Sequence, residues 1–214
     1  MKTAFLNKKE IKEKYLKRVD VHYKADEIEK GHYWENGKGC AVGCTVEKSH
    51  DAHQAMEDEL GIPKELAYLE DIIFENLPNE KAKEFPKRFL EAINVGADLS
   101  LITARFIVWQ FEDNKEGLKN YKGIFNDNEE DKEILRYCEE LVALYKRVIA
   151  KEKVSEDEFY NLYLKIDKSG AWARAGAWAW AWAWARARAW AGAGESKSYI
   201  LMAEKLLELL KESK

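Results

Sequence analysis

The sequence is poor in cysteine and proline, with three of each in 214 residues. Three cysteines are too few for a disulfide scaffold. Charge of one sign is also missing: 35 Lys and Arg stand against 39 Asp and Glu, so there is no broad basic signature for nucleic acid. Long hydrophobic runs are absent. The longest natural apolar stretch, Leu99 to Phe111, is broken by Ser100, Thr103, Arg105 and Gln110, and it falls short of the roughly 20 residues that span a bilayer. The apolar part of the N-terminus is shorter than the roughly 7–15 residues of a signal-peptide core. These absences predict a soluble, cytoplasmic protein with reduced thiols and no transmembrane span. The sequence also lacks a Walker loop, a dinucleotide glycine fingerprint, a Gly-x-Ser-x-Gly elbow and a His-Glu-x-x-His pair.

What is present is helical periodicity. The hydrophobic fraction of 46% excludes general disorder. Asn7, with Glu10 three residues on, reads as a cap for a first helix carrying Ile11, Tyr15, Val19, His22 and Ile28 and ended by Gly31. Asn36-Gly37 is a hairpin signal, because both central positions of a type I′ turn need positive φ. A small hairpin or irregular loop is therefore expected near residues 32–46, delivering Cys40 and Cys44.

A short helix from Ser49 or His50 to Leu60, stopped by Gly61, follows. Pro63 suits the first turn of a helix running to Leu77, with Leu66, Leu69, Ile72, Ile73 and Leu77 as its buried stripe. Asn79 caps the next helix, which Pro86 is expected to interrupt or kink. Further helices are expected at Leu99 to Phe111, over about 129–152, after the Ser155-Glu158 capping box, and from Tyr199 to Leu210. Residues 113–128 read as a surface loop. The fold class is all-α: a multi-helix bundle of residues 1–168, followed by an Ala/Trp-rich segment and a C-terminal amphipathic helix in 169–214. That last helix is expected to pack on the segment or on a partner.

Every odd residue from Ala171 to Ala193 is alanine, and six of the eight tryptophans fall within 171–194. A period of two formally indicates a strand. A single strand of that length would reach about 80 Å, however, and twelve alanines favour a helix. On a helix the rings of Trp178, Trp180, Trp182, Trp184 and Trp190 surround the axis and need cover on more than one side. Self-association, as a homo-oligomer, through these residues is the expected role. Base stacking aided by Arg174, Arg186 and Arg188, or contact with a membrane surface, are the competing roles.

The most chemical-looking cluster is Cys40, Cys44, His50 and His53. Two thiolates and two imidazoles suit tetrahedral zinc. A second chemistry is a Cys40 nucleophile with His32, His50 or His53 as base. The plainest alternative is close packing of small residues, with the cysteines acting as small hydrophobes and no cofactor at all. Cys138 lies on an apolar helix face and reads as core. Glu70 and Asp71, beside Ile72, could approach a metal, but one carboxylate pair does not make a site, and the Glu57-Asp58-Glu59 run reads as solvated.

The segments Gly37-Lys38-Gly39-Cys40-Ala41-Val42-Gly43-Cys44-Thr45, Glu59-Leu60-Gly61-Ile62-Pro63, Phe89-Leu90-Glu91-Ala92-Ile93 and Val95-Gly96-Ala97-Asp98-Leu99-Ser100 resemble an uncharacterised family of bacterial and phage-associated proteins. Those proteins also carry an Ala-rich, aromatic-punctuated segment before a final Leu-rich helix. The resemblance covers most of the chain and implies no activity. The strict two-residue period of this chain departs from the longer Ala spacing of the family. The functional expectation is a non-enzymatic structural or interaction protein, with a Cys/His zinc protein or a cysteine enzyme centred on Cys40 as the alternative.

Overall fold

The computed structural model describes residues 2–113, 117, 129–168 and 195–214. Among these residues the chain is all-α apart from one two-stranded ribbon, as the helical periodicity predicts. Helices α1 (Lys9–Lys24), α2 (Ala41–Val46), α3 (Ala52–Leu60), α4 (Lys64–Asn76), α5 (Asn79–Ala92) and α6 (Ile102–Glu112) come first, with strands β1 (Trp34–Glu35) and β2 (Lys38–Gly39) between α1 and α2. Then come α7 (Glu129–Ile149), α8 (Glu156–Lys168) and α9 (Glu195–Glu212). No helix among the described residues is long and apolar enough to cross a membrane.

Two compact units are present. The first joins Met1–Thr103 to Tyr199–Lys214, and the second is Ala104–Ser198. The boundary expected at 168/169 thus lies inside the second unit. The Ala/Trp segment, including Trp178, Trp180, Trp182, Trp184 and Trp190, lies outside the described residues, and so does the helix expected there.

In the first unit, α1 packs on α5 and α2, and α2, α3 and α4 pack on one another. The core holds Phe5, Leu60, Ile62, Leu66, Ile73, Phe74, Phe85 and Phe89, all fully buried. Each such side chain contributes about 1.5–3 kcal/mol relative to an exposed one. The C-terminal part of the chain closes this unit. Tyr199, Met202, Leu206 and Leu210 are buried at helical spacing. Arg88 donates to both carboxylate oxygens of Glu204 (2.9 and 2.8 Å), and the Asp98 amide donates to the Lys214 carbonyl (2.9 Å).

Three local expectations are corrected. The first helix begins from Lys8, not Asn7, because Phe5, Leu6 and Asn7 turn through positive φ. It stops at Lys24 instead of reaching Gly31. Residues 27–29 instead run beside β2, with an Ile28–Gly39 bridge and a Glu29 amide donating to the Gly39 carbonyl at 2.8 Å. Finally, Pro86 does not interrupt α5, which runs on through this buried residue to Ala92. The packing of Phe85 and Phe89 in the core outweighs the one backbone hydrogen bond that proline removes.

In the second unit, α7 packs on α8, with Tyr145 and Phe159 in ring contact at 5.3 Å. The capping box forms in both directions: the Ser155 amide donates to Glu158 Oε1 (3.0 Å), and the Glu158 amide donates to Ser155 Oγ (3.3 Å).

Candidate metal centre

The hairpin positions the first donor. Asn36 (φ 52°) and Gly37 (φ 83°) make the turn, and Trp34 pairs with Gly39. The ribbon then lies directly on α2. A Cβ at Gly39 or Gly43 would come within 1.8 or 1.4 Å of the Tyr33 carbonyl oxygen, so both positions admit only glycine. Cys40 follows as the N-cap of α2, 1% exposed, and its Sγ accepts from the Gly43 amide at 3.4 Å.

Helix α4 supplies the rest. Tyr68, Asp71 and Glu75 are three and four residues apart and share one face. Cys40 Sγ and one carboxylate oxygen each from Asp71 and Glu75 lie within 4.8 Å of one another. Glu75 is anchored by the Gly31 amide, which donates to its two oxygens at 3.1 Å each. Asp71 is held from the other side. His53 of α3 is buried, stacks on Tyr68 with ring centres 3.7 Å apart, and meets the edge of Tyr33 at 5.3 Å. Its Nε2 lies 3.3 Å from Asp71 Oδ2 without completing a hydrogen bond, and Asp71 Oδ1 is buried with no hydrogen-bond partner.

The electrostatics oppose proton loss. Burial pushes the Cys40 thiol well above the ordinary thiol range, and Asp71 and Glu75 push it further, against the pull of the Gly43 amide. Burial, with Asp71 beside it, also raises the Glu75 carboxyl, against the Gly31 amide. Glu70 is fully buried and neither of its oxygens has a hydrogen-bond partner; burial and then Asp71 drive its carboxyl well up. The Tyr33 phenol is raised by burial and then by Asp71 and Cys40. Acids crowded in this way hold their protons to higher pH, and a nearby cation opposes that shift. A divalent ion would supply that compensation, and one thiolate with two carboxylates would suit a borderline ion such as zinc.

The four residues expected from sequence do not converge. Cys40 and His53 reach the cluster. Cys44 turns away: its thiol donates to the carbonyls of Gly39 (3.2 Å) and Glu27 (3.6 Å), and burial pushes it up to about 12. His50 is exposed in the turn before α3. His32 is half-buried and acts on Glu75. Cys138 is buried in the second unit and is likewise pushed up to about 12 by burial. Asp71 was visible beside Glu70 in the sequence, but Glu75 was not singled out. Its signal is the Asp71-x-x-x-Glu75 spacing, continued by Tyr68, on a helix whose opposite face is apolar.

Among the described residues the fold is all-α apart from one ribbon, and the site is a thiol–carboxylate cluster whose sulfur is buried. Compared with protein-family models, curated proteins and solved structures, the chain matches none of them.

Proposed function

We propose that this protein binds a divalent transition-metal ion, with zinc as the best fit, through Cys40, Asp71 and Glu75. The reading rests on one observation: a buried sulfur and two carboxylate oxygens converge within 4.8 Å from two separate parts of the chain. His53 then serves as the residue that orients Asp71, a support that metal-ligating carboxylates commonly have. Cys40 becomes a ligand thiolate and not a resting nucleophile, because its thiol is driven up in the absence of a cation. A thiolate ligand needs a reducing compartment, of which the cytoplasm is the ordinary one.

Metal analysis of the full chain, purified and then dialysed against zinc, tests this. About one ion per chain is expected. Cys40→Ser, Asp71→Asn and Glu75→Gln should each lose it, whereas Cys44→Ser and His50→Ala should keep it. Loss in the second pair with retention in the first would overturn the reading, as would folded wild-type protein that holds no zinc.

A further inference from the structure

Where α1 meets the end of α2, a second group of polar residues shares no member with the metal cluster. Lys17, Arg18 and Val21 follow Lys14 by three, four and seven residues and lie on one face of α1. With His22 and Glu47 they line a cavity of about 280 Å³. Two of these groups are fixed in place. Arg18 Nη1 donates to the Thr45 carbonyl (3.0 Å), and its Nη2 lies 3.2 Å from Glu47 Oε2. His22 Nδ1 lies 2.7 Å from Glu27 Oε2, and its Nε2 lies 3.3 Å from Glu47 Oε1. The two lysines are exposed and differently placed. Lys17 has no ion pair or hydrogen bond among the described residues. Lys14 rests over the Tyr15 ring at 4.7 Å and acts on Glu59, whose oxygens already take Lys48 (2.7 Å) and the Tyr15 hydroxyl.

Charge narrows the ligand. Residues 1–24 hold eight Lys and Arg against three Asp and Glu, in a chain whose net charge is −4. That excess does not form a continuous basic stripe. Lys9 pairs with Glu13 (3.2 Å) and Lys24 with Asp20 (2.5 Å), while Lys12 donates to the carbonyls of Glu91 (3.0 Å) and Ile93 (2.6 Å). A nucleic acid or an anionic membrane is held by a run of cations. Here two ammonium groups without a carboxylate of their own stand at one small cavity. Glu47, the carboxylate in its lining, is answered by Arg18 and His22. The place therefore suits one small anion. Two ammonium groups match the two negative charges that a phosphate group approaches at neutral pH, and an oriented guanidinium beside them suits its oxygens.

We propose that this cavity binds a single phosphate group, free or as a small monoester, held by Lys14 and Lys17 with Arg18 beside them. Calorimetric titration of the full chain with inorganic phosphate, in metal-free buffer, tests this. Saturable binding at one site is expected. The double variant Lys14→Gln/Lys17→Gln should weaken it by about tenfold or more, the scale of two lost exposed ion pairs. The double variant Lys9→Gln/Lys24→Gln makes the same charge change on the same helix, outside the cavity, and should leave binding as it is. All four lysines are exposed, so both variants should keep the wild-type helical circular dichroism. Competition by glycerol 3-phosphate assigns the site to a small ester and its absence to free phosphate; either result supports the proposal. Three results overturn it: no saturable phosphate binding to the wild-type chain, equal weakening in the two double variants, or capture by phosphatidylserine vesicles with no binding of soluble phosphate.

Discussion

His53 Nε2 lies 3.3 Å from Asp71 Oδ2, and the same imidazole is stacked on Tyr68 at 3.7 Å. The stacking holds the ring beside Asp71, whose Oδ1 is buried with no hydrogen-bond partner among the described residues. His53→Ala should therefore weaken zinc binding by about 10–100-fold without abolishing it, the usual effect of losing a partner that orients a ligand. Competition with a chromophoric chelator measures this. Complete loss of stoichiometric binding would make His53 a ligand and not a support.

The two neighbouring cysteines should separate cleanly. Cys40→Ser is expected to remove the metal. Cys44→Ser is expected to keep it and to change stability by about 1 kcal/mol, the scale of an altered buried hydrogen bond. Urea unfolding and metal content, measured on the same samples, check both halves.

The glycines divide in the same way. Gly43→Ala drives a methyl group into the Tyr33 carbonyl, where the gap is 1.4 Å, and backbone must move. A loss of about 3 kcal/mol or more is expected, at the upper end of overpacking effects. Gly37→Ala meets nothing within 4 Å and strains only its φ of 83°. It should cost about 1 kcal/mol, as expected for a side chain at a glycine turn position. Thermal melts that rank the two in the opposite order would contradict the close approach of hairpin and helix.

In the metal-free protein, stability should fall as pH rises above about 4.5. Glu70 and Glu75 both carry raised carboxyl pKa values against an unfolded value of 4.5. Below that pH both states are protonated and the contribution is complete. Above it the unfolded chain ionises while the folded one holds its protons, so folding loses ground with a slope of at most about 1.4 kcal/mol per pH unit for each group. Glu70→Gln removes one of these groups and should flatten the profile above about pH 4.5. Urea midpoints in chelator across that range report it, and a wild-type profile that is flat or rising would contradict the burial argument. Carboxylates with depressed values, such as Asp20 at about 2 between Lys24 and Lys87, act below this window.

Local order was readable in three places where the determinants are close in sequence. The Asn36-Gly37 turn, the α4 stripe and the Ser155–Glu158 box each depend on residues within a few positions of one another, so composition and spacing suffice. The end of the first helix was not readable in this way. Nothing within the stretch from Ala25 to Gly31 forbids a helix, and its pairing with Gly39 is a choice made by a segment further on.

The site shows the same division more sharply. The sequence by itself determined that Cys40 is preceded by a tight turn and sits among small residues that permit close packing. It also placed Asp71 on a helix, beside Glu70. Only the tertiary structure decided which of the nearby donors meet. Cys44 and His50 are close to Cys40 along the chain, yet one turns its thiol to backbone carbonyls and the other faces solvent. Asp71 and Glu75 are more than 30 residues away and converge on the sulfur because α2, α3 and α4 pack together. Side-chain direction on a short helix follows from which face is buried, and that face is set by the partners packed against it, not by the distance between cysteines along the chain.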